Sequence, residues 1–268
     1  MEDVQQRADN RGVPLDKAGV TGLRYPIVVL SRDNGQQHTV ATITMSVSVP
    51  QEFKGTHMSR FLEVLEQHRT DVTMWALPAI LKSLRTRLNA ESARIEMNFP
   101  YFLERPAPVT GATGLMDYNC TFIGESNISC DDFVLKVSVP VTSLCPCSKT
   151  ISDYGAHNQR GQLTLEVRGV WKEDEPDFIW IEELIDIAES SASCPLYPLL
   201  KRPDERFVTM KAYDNPVFVE DMVRNVAVAL KADSRVSWFK VHAVNFESIH
   251  NHNAFAETSW SRPAGGEG

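Results

Sequence analysis

Val40-Ala41-Thr42-Ile43-Thr44-Met45-Ser46-Val47-Ser48-Val49 alternates apolar residues with hydroxyl-bearing ones. Successive side chains of a strand point to opposite faces, so this stretch, taken from about Thr39, predicts a half-buried antiparallel strand with one wet face and one covered face. The cover follows at once in the chain. Met58, Phe61, Leu62 and Leu65, then Met74, Leu77, Ile80, Leu81 and Leu84, recur at threes and fours, which predicts two amphipathic helices. Pro78 falls near the first turn of the second helix, where a missing N–H is tolerated.

Strands resume with Ile95, Met97 and Phe99, again around Met116 to Ile123, and with Phe133, Leu135, Val137, Val139 and Val141. Beyond them the order is a strand over 162–170, a helix over about 180–190, a loop through Lys201 to Arg206, and a second helix opened by Asn215-Pro216. Two strands, over 236–248 and 252–259, close the count. This order predicts an α+β fold of antiparallel sheets with helices packed on one face, as two successive ββαα-like units, rather than an alternating parallel α/β fold. The expected organisation is a polar N-terminal arm over 1–22, a first unit over 23–142, a second over 143–262 carrying most of the active-site residues, and a short tail over 263–268.

The chain has 268 residues, 43% hydrophobic and 23% charged, enough for one large or two small cores. The N-terminus lacks the regions of a secretory signal and no apolar run is long enough to span a bilayer, so a cytoplasmic protein is expected. Five cysteines, an odd number, argue against a disulfide framework and leave thiolate chemistry available. A formal charge of −8 argues against a nucleic-acid surface, whereas a small anion needs only a local basic pocket. Lys201, Arg202, Arg206 and Lys211 suggest one such pocket; Lys149 and Arg160 suggest another. By itself a mixed-charge run reads more simply as a solvated loop.

Cys145 and Cys147 sit where the alternating pattern that runs from Phe133 to Val141 stops, and His157 follows soon after. Two cysteines this close, with Pro146 fixing the φ between them, do not reach disulfide geometry. Thiolate and imidazole are good donors to a borderline-soft divalent cation, and a catalytic site needs three protein ligands with one position open. The plainer reading is two small buried hydrophobes. Further on, His250 and His252 stand two apart on what reads as a strand, with Glu247 three residues before His250, a plausible proton-transfer set.

Five segments stand in order: Ser143-Leu144-Cys145-Pro146-Cys147-Ser148-Lys149, Tyr154-Gly155-Ala156-His157-Asn158-Gln159-Arg160, Leu200-Lys201-Arg202-Pro203-Asp204-Glu205, Asn215-Pro216-Val217-Phe218-Val219-Glu220-Asp221 and Glu247-Ser248-Ile249-His250-Asn251-His252. Together they resemble type IB GTP cyclohydrolase I. Lys54-Gly55-Thr56-His57-Met58-Ser59-Arg60-Phe61 and Pro106-Ala107-Pro108 extend the likeness into the N-terminal half. The resemblance implies a bimodular tunnelling fold (T-fold), a homotetramer with active sites at subunit interfaces, and hydrolysis of GTP to 7,8-dihydroneopterin triphosphate and formate at the start of folate biosynthesis. It implies a divalent metal, zinc by default with manganese or iron as alternatives, on Cys145, His157 and Glu205. Cys147 joins or replaces a ligand, or acts as a proton donor. Met210 stands where relatives commonly carry glutamate; if that glutamate is the family's ligand, the assignment to Glu205 fails.

The same resemblance makes Glu220 the guanine anchor, because one carboxylate accepts both N–H donors of the guanine edge. His250 and His252 shuttle protons, with Glu247 orienting one of them. The triphosphate falls to some of Lys149, Arg160, Lys201, Arg202, Arg206 and Lys211. Two other readings compete. One is the NADPH-dependent nitrile reductase of queuosine synthesis, whose cysteine follows a similar Ser-Leu-Cys-Pro turn. The other is a non-catalytic module with a structural zinc.

Overall fold

In a computed structural model, residues 5, 9–33, 35–68, 73–172, 175–177 and 179–263 are described. The chain divides into two compact units, Met1–Pro100 with Thr121–Val134, and Tyr101–Cys120 with Leu135–Gly268.

The first unit starts with an antiparallel hairpin of β1 (Leu15–Leu30) and β2 (Gln36–Val49), in register from Leu30 opposite Gln36 to Leu15 opposite Val49, with irregularities near both glycines of β1. β3 (Ala93–Pro106) continues the sheet against β2, Val47 opposite Ala93 and Thr42 opposite Asn98. β4 (Thr113–Ser126) follows β3 in the strand order. Between β2 and β3 lie α1 (Met58–Gln67), a short 3-10 turn at Met74–Ala76, and α2 (Leu77–Leu88). The alternation in β2 does what its period requires: Ala41, Ile43, Met45 and Val47 are buried, and so are Phe61, Val64 and Leu65 of α1 and Ile80, Leu81 and Leu84 of α2. Burying each large side chain contributes about 1.5–3 kcal/mol. Gly124 of β4 lets α2 approach, since a Cβ there would lie 3.0 Å from Leu81 Cδ1 and 3.3 Å from Ile95 Cγ2.

The second unit is built on β5 (Asp131–Leu144), β6 (Asn158–Lys172), β9 (Val236–Asn245) and β10 (Ala254–Ser261), all antiparallel in that order. β7 (Glu175–Asp177) pairs with β6, and β8 (Cys194–Pro195) with β5. α3 (Pro146–Ile151) joins β5 to β6, and α4 (Ile181–Ser190), α5 (Arg202–Asp214) and α6 (Val219–Ala232) come between β7 and β9. α6 packs on β9 and β10 through Met222, Val226 and Leu230, against Phe239, Val241 and Ala243 of the strand face they cover. The other face is polar, with Lys136 paired to Glu166 at 3.2 Å and Lys240 to Glu257 at 3.0 Å. Among the described residues no helix is long and apolar enough to cross a membrane.

Two ββαα-like units do not describe this chain. The first unit runs β-β-α-α-β-β, with helices inserted between the second and third strands, and the second inserts three helices ahead of its last hairpin. The polar alternation of residues 15–22 was also expected to be an arm. It is the start of β1, an edge strand held by backbone hydrogen bonds to β2 rather than by burial, so hydrophobic periodicity does not mark it. The unit boundaries fall inside β3, β4 and β5, whereas a single one was expected at 142/143. Residues 264–268 of the expected tail lie outside the described residues.

Candidate active site

Strand β5 ends at Leu144 because Pro146 has no N–H to continue the ladder; the same residue opens α3. Cys145 becomes the N-cap, with extended φ/ψ of −71° and 116°, and its Sγ accepts the Ser148 N–H at 3.4 Å. Register does the rest. Leu144 pairs with Asn158 across β5 and β6, which brings His157 beside Cys145, whose N–H donates to His157 O at 3.1 Å. Ser148 Oγ seals the corner by donating to Cys145 O and accepting from His157 N–H.

His157 Nδ1 lies 2.8 Å from Gln159 Oε1. A carbonyl oxygen only accepts, so this contact is a hydrogen bond in the tautomer that carries its proton on Nδ1. Glu247 Oε2 is 4.0 Å from the same Nδ1, both side chains 12% exposed. Cys145, His157, Glu220, Glu247, His250 and His252 line one pocket of about 270 Å³. Glu220 reaches it from the first turn of α6. Phe218, the N-cap of that helix, adds an apolar wall.

His250 and His252 are not on a strand. β9 stops at Asn245 and both histidines lie in the connection to β10, where their rings stack with centroids 5.0 Å apart and planes at 19°. Contact between the rings, rather than strand alternation, keeps them together. Glu247 was expected to orient one of them, and it lies close to His157 instead.

Several expected members are elsewhere. Cys147 is exposed on α3 and outside the pocket lining. Glu205 is exposed in the first turn of α5 and does not line the pocket either. None of Lys149, Arg160, Lys201, Arg202, Arg206 and Lys211 lines it. Lys149 Nζ instead donates to Tyr213 O and sits 4.3 Å from the centre of the Tyr213 ring, while Arg206 and Lys211 border a separate groove with Val109, Phe207 and Met210. The set of Cys145, His157 and Glu205 is therefore not gathered around one point. Among the described residues no three cysteine, histidine, aspartate or glutamate side chains converge closely enough to cage a cation. Cys145 and His157 suit a divalent metal by donor chemistry and shared pocket; Glu205 does not.

Sequence reasoning passed over Gln159, Ser143 and Asn245, which also line the pocket. Gln159 stands two residues after His157, Ser143 two before Cys145 and Asn245 two before Glu247, but His157, Cys145 and Glu247 lie just beyond the strand ends, so strand alternation alone does not join the pairs.

A family model described as type I GTP cyclohydrolase FolE2 matches residues 1–256. The GTP cyclohydrolase FolE2 of Nitrosococcus oceani is 54% identical over 256 residues, covering 96% of this chain and 94% of the relative. The FolE2 proteins of Magnetococcus marinus and Syntrophobacter fumaroxidans are 54% and 52% identical, each over 96% of this chain and over 94% and 98% of their own lengths. The narrower type IB designation is carried by none of these matches. Among solved structures, uricase from Arthrobacter globiformis superimposes with a TM-score of 0.54 at 10% identity, covering 92% of this chain and 93% of that one. A uricase from Bacillus fastidious gives 0.54 at 8% identity, covering 94% of each. At that identity the likeness concerns the fold alone. The architecture shared with the uricases, an antiparallel sheet with the helices inserted as described, replaces the expected T-fold of two ββαα-like units.

Proposed function

The chain belongs to the FolE2 family of type I GTP cyclohydrolases, and from that premise we propose that it hydrolyses GTP to 7,8-dihydroneopterin triphosphate and formate, the first step of folate biosynthesis, in the cytoplasm. One observation carries the reading beyond family membership: Cys145, His157, Glu220, Glu247, His250 and His252, drawn from four separate segments, line a single pocket.

Glu220 takes the guanine edge. Its two oxygens accept N1–H and one N–H of the exocyclic amine in parallel, a pairing that adenine cannot offer. A cation, zinc, manganese or iron, held by Cys145 and His157, would supply water acidified toward neutrality for attack on purine C8. Gln159 holds the His157 ring through Nδ1, which would leave Nε2 as the donor atom for the cation. His250 and His252 donate the proton that the departing ring nitrogen needs when the imidazole ring opens, and move protons again as formate leaves. Glu247 stays within reach of His157, and its carboxylate is placed to serve as a proton acceptor.

The triphosphate carries several negative charges, and among the described residues no lysine or arginine lines the pocket. That supports a homotetramer in which a neighbouring subunit brings cations, from among Lys149, Arg160, Lys201, Arg202, Arg206 and Lys211, to each site. Cys147, exposed beside the pocket corner, serves as a proton donor in that assembled site.

The test is direct. Purified protein loaded with Zn²⁺ or Mn²⁺ is given GTP, and formate and the pterin fluorescence that appears after oxidation are followed. Both should appear in equal amounts. Absence of formate with every metal tried refutes the proposal.

A further inference from the structure

A buried hydrogen-bond chain runs through the lining of the pocket. Asn245 Nδ2 donates to Ser143 Oγ at 2.9 Å, and Ser143 Oγ donates to Val217 O at 3.0 Å. The backbone reinforces the second link, with Val217 N–H donating to Leu144 O at 3.1 Å. Asn245 is 3% exposed and Ser143 1%. Each member precedes a side chain of the pocket by two or three positions: Ser143 precedes Cys145, Asn245 precedes Glu247, and Val217 precedes Glu220. Three walls that meet only through tertiary folding are thus tied by two side chains.

The polarity of this chain is determined by its end. Val217 O can only accept, so the Ser143 hydroxyl proton is committed to it, and Ser143 in turn accepts from the asparagine NH₂. Asn245 Oδ1 is left turned toward Gly161, the residue opposite it on β6, and has no hydrogen-bond partner among the described residues. A Cβ on residue 161 would lie 2.7 Å from that oxygen, so glycine makes the room for it. A buried carbonyl oxygen without a donor lowers stability, and apolar side chains of matching shape at 143 and 245 would avoid the loss. Stability alone does not account for this pair.

We propose that Asn245 is a positioning residue which, through Ser143, sets the distance between the Glu220 carboxylate and the Cys145–His157 wall, and so the accuracy with which the guanine edge is read. This rests on the pocket being the GTP site. Glu220 recognises guanine by two parallel bonds, and a small displacement weakens a pairing that needs both carboxylate oxygens aligned. Inosine triphosphate lacks the exocyclic amine. Loosening the clamp therefore narrows the preference for GTP over ITP more than it slows chemistry.

The experiment measures kcat and KM for both nucleotides, equilibrium binding of both by calorimetry, and melting temperature, in the wild type, Ser143→Ala, Asn245→Ala and the double variant. Either single variant should raise the GTP KM roughly tenfold with a smaller change in kcat, and should shrink the GTP:ITP ratio of kcat/KM by a similar factor. The double variant should do no more than the worse single one, because the two act as a unit. Gly161→Ala, which displaces the carboxamide without removing it, should shift the same ratio in the same direction. A lower melting temperature with an unchanged GTP:ITP ratio in both kinetics and binding overturns the inference and leaves the proposed function intact. Additive losses in the double variant also overturn it. A wild type that releases no formate from GTP refutes the proposed function instead; if it still binds GTP over ITP and the variants erase that preference, the positioning role stands.

Discussion

The Arg105–Tyr118–Glu189 cluster and the Cys145–His157–Glu220 pocket are both assembled from polar side chains of the second unit, yet one is closed on itself and the other is left open. In the cluster, Tyr118 OH donates to Glu189 Oε1 at 2.9 Å, Arg105 Nε to Tyr118 OH at 3.0 Å, and Arg105 Nη2 to Glu189 Oε2 at 2.8 Å. Burial pushes the Glu189 carboxyl above its ordinary range while Arg105 and Tyr118 pull against it, and burial likewise raises the Tyr118 phenol. Both carboxylate oxygens have donors, so nothing remains for a ligand. In the pocket, Glu220, His250 and His252 have no side-chain hydrogen bonds among the described residues. Satisfied polar groups lock α4 onto the strands beneath it; unsatisfied ones keep bonding capacity in reserve for a substrate.

The sharpest way to break this contrast is to delete members of the pocket. Cys145→Ala, His157→Ala and Glu220→Ala should each lower kcat/KM for GTP on the order of 10³-fold. The first two should also lose bound metal by elemental analysis, whereas Glu220→Ala should keep it. His250→Ala and His252→Ala come next, with kcat falling about 10²-fold while GTP still binds. Melting temperatures should hardly move in these variants, and a collapse in stability would show that the open cluster is architecture after all.

The closed cluster should behave in the opposite way. Glu189→Ala strands a partly buried guanidinium and should cost about 3–5 kcal/mol in denaturant unfolding. Tyr118→Phe leaves Glu189 Oε1 without its donor and should cost about 1–3 kcal/mol, with kcat for GTP unchanged in protein that remains folded. Loss of turnover at full stability in Tyr118→Phe would move the cluster into the catalytic machinery.

The smallest effect is a pH dependence at a third polar group. Asp204, fully buried, accepts from Thr110 Oγ1 and from the backbone N–H groups of Val109, Thr110 and Lys201. Burial pushes its carboxyl up, but the hydrogen bonds together outweigh that and hold it well below the usual carboxylate range. A depressed carboxylate contributes stability that is present above its unfolded pKa of about 3.9 and is lost as pH falls through the folded value. Unfolding free energy should therefore be flat in this respect near neutrality and decline below about pH 4. In Asp204→Asn the acid decline should be shallower. An unchanged acid limb would assign it to other carboxylates.

Much of this was legible in the chain. The alternation of Ala41 to Val49, the threes and fours of Phe61 to Leu84, and the Pro146 stop all reflect local rules, in which one residue's neighbours a few positions away decide its conformation. Cys145, His157 and Glu220 stood out because their side-chain chemistry is unusual at those spacings. Gln159 and Asn245 did not stand out, since an amide on a strand carries no chemical signal until its partner is known. The fold class failed at β1, where an edge strand is stabilised through its backbone, and at the connections, which give no periodic signal.

What the sequence by itself determined is which residues are capable of chemistry and where the strands and helices with a clear hydrophobic period lie, because charge, thiol reactivity and hydrophobic period are properties of the residues in order; it missed the edge half of β1 and took the start of α5 for a loop. Tertiary structure alone decided which of those residues meet. It brought Cys145 to His157 through strand register, set Glu220 opposite them through the α6 start, put Glu247 beside His157, and turned Glu205, Cys147 and every candidate cation away from the pocket. The reason is physical: distance between side chains far apart in the chain is set by packing and by hydrogen bonds such as Asn245 to Ser143, and neither is written in any local pattern.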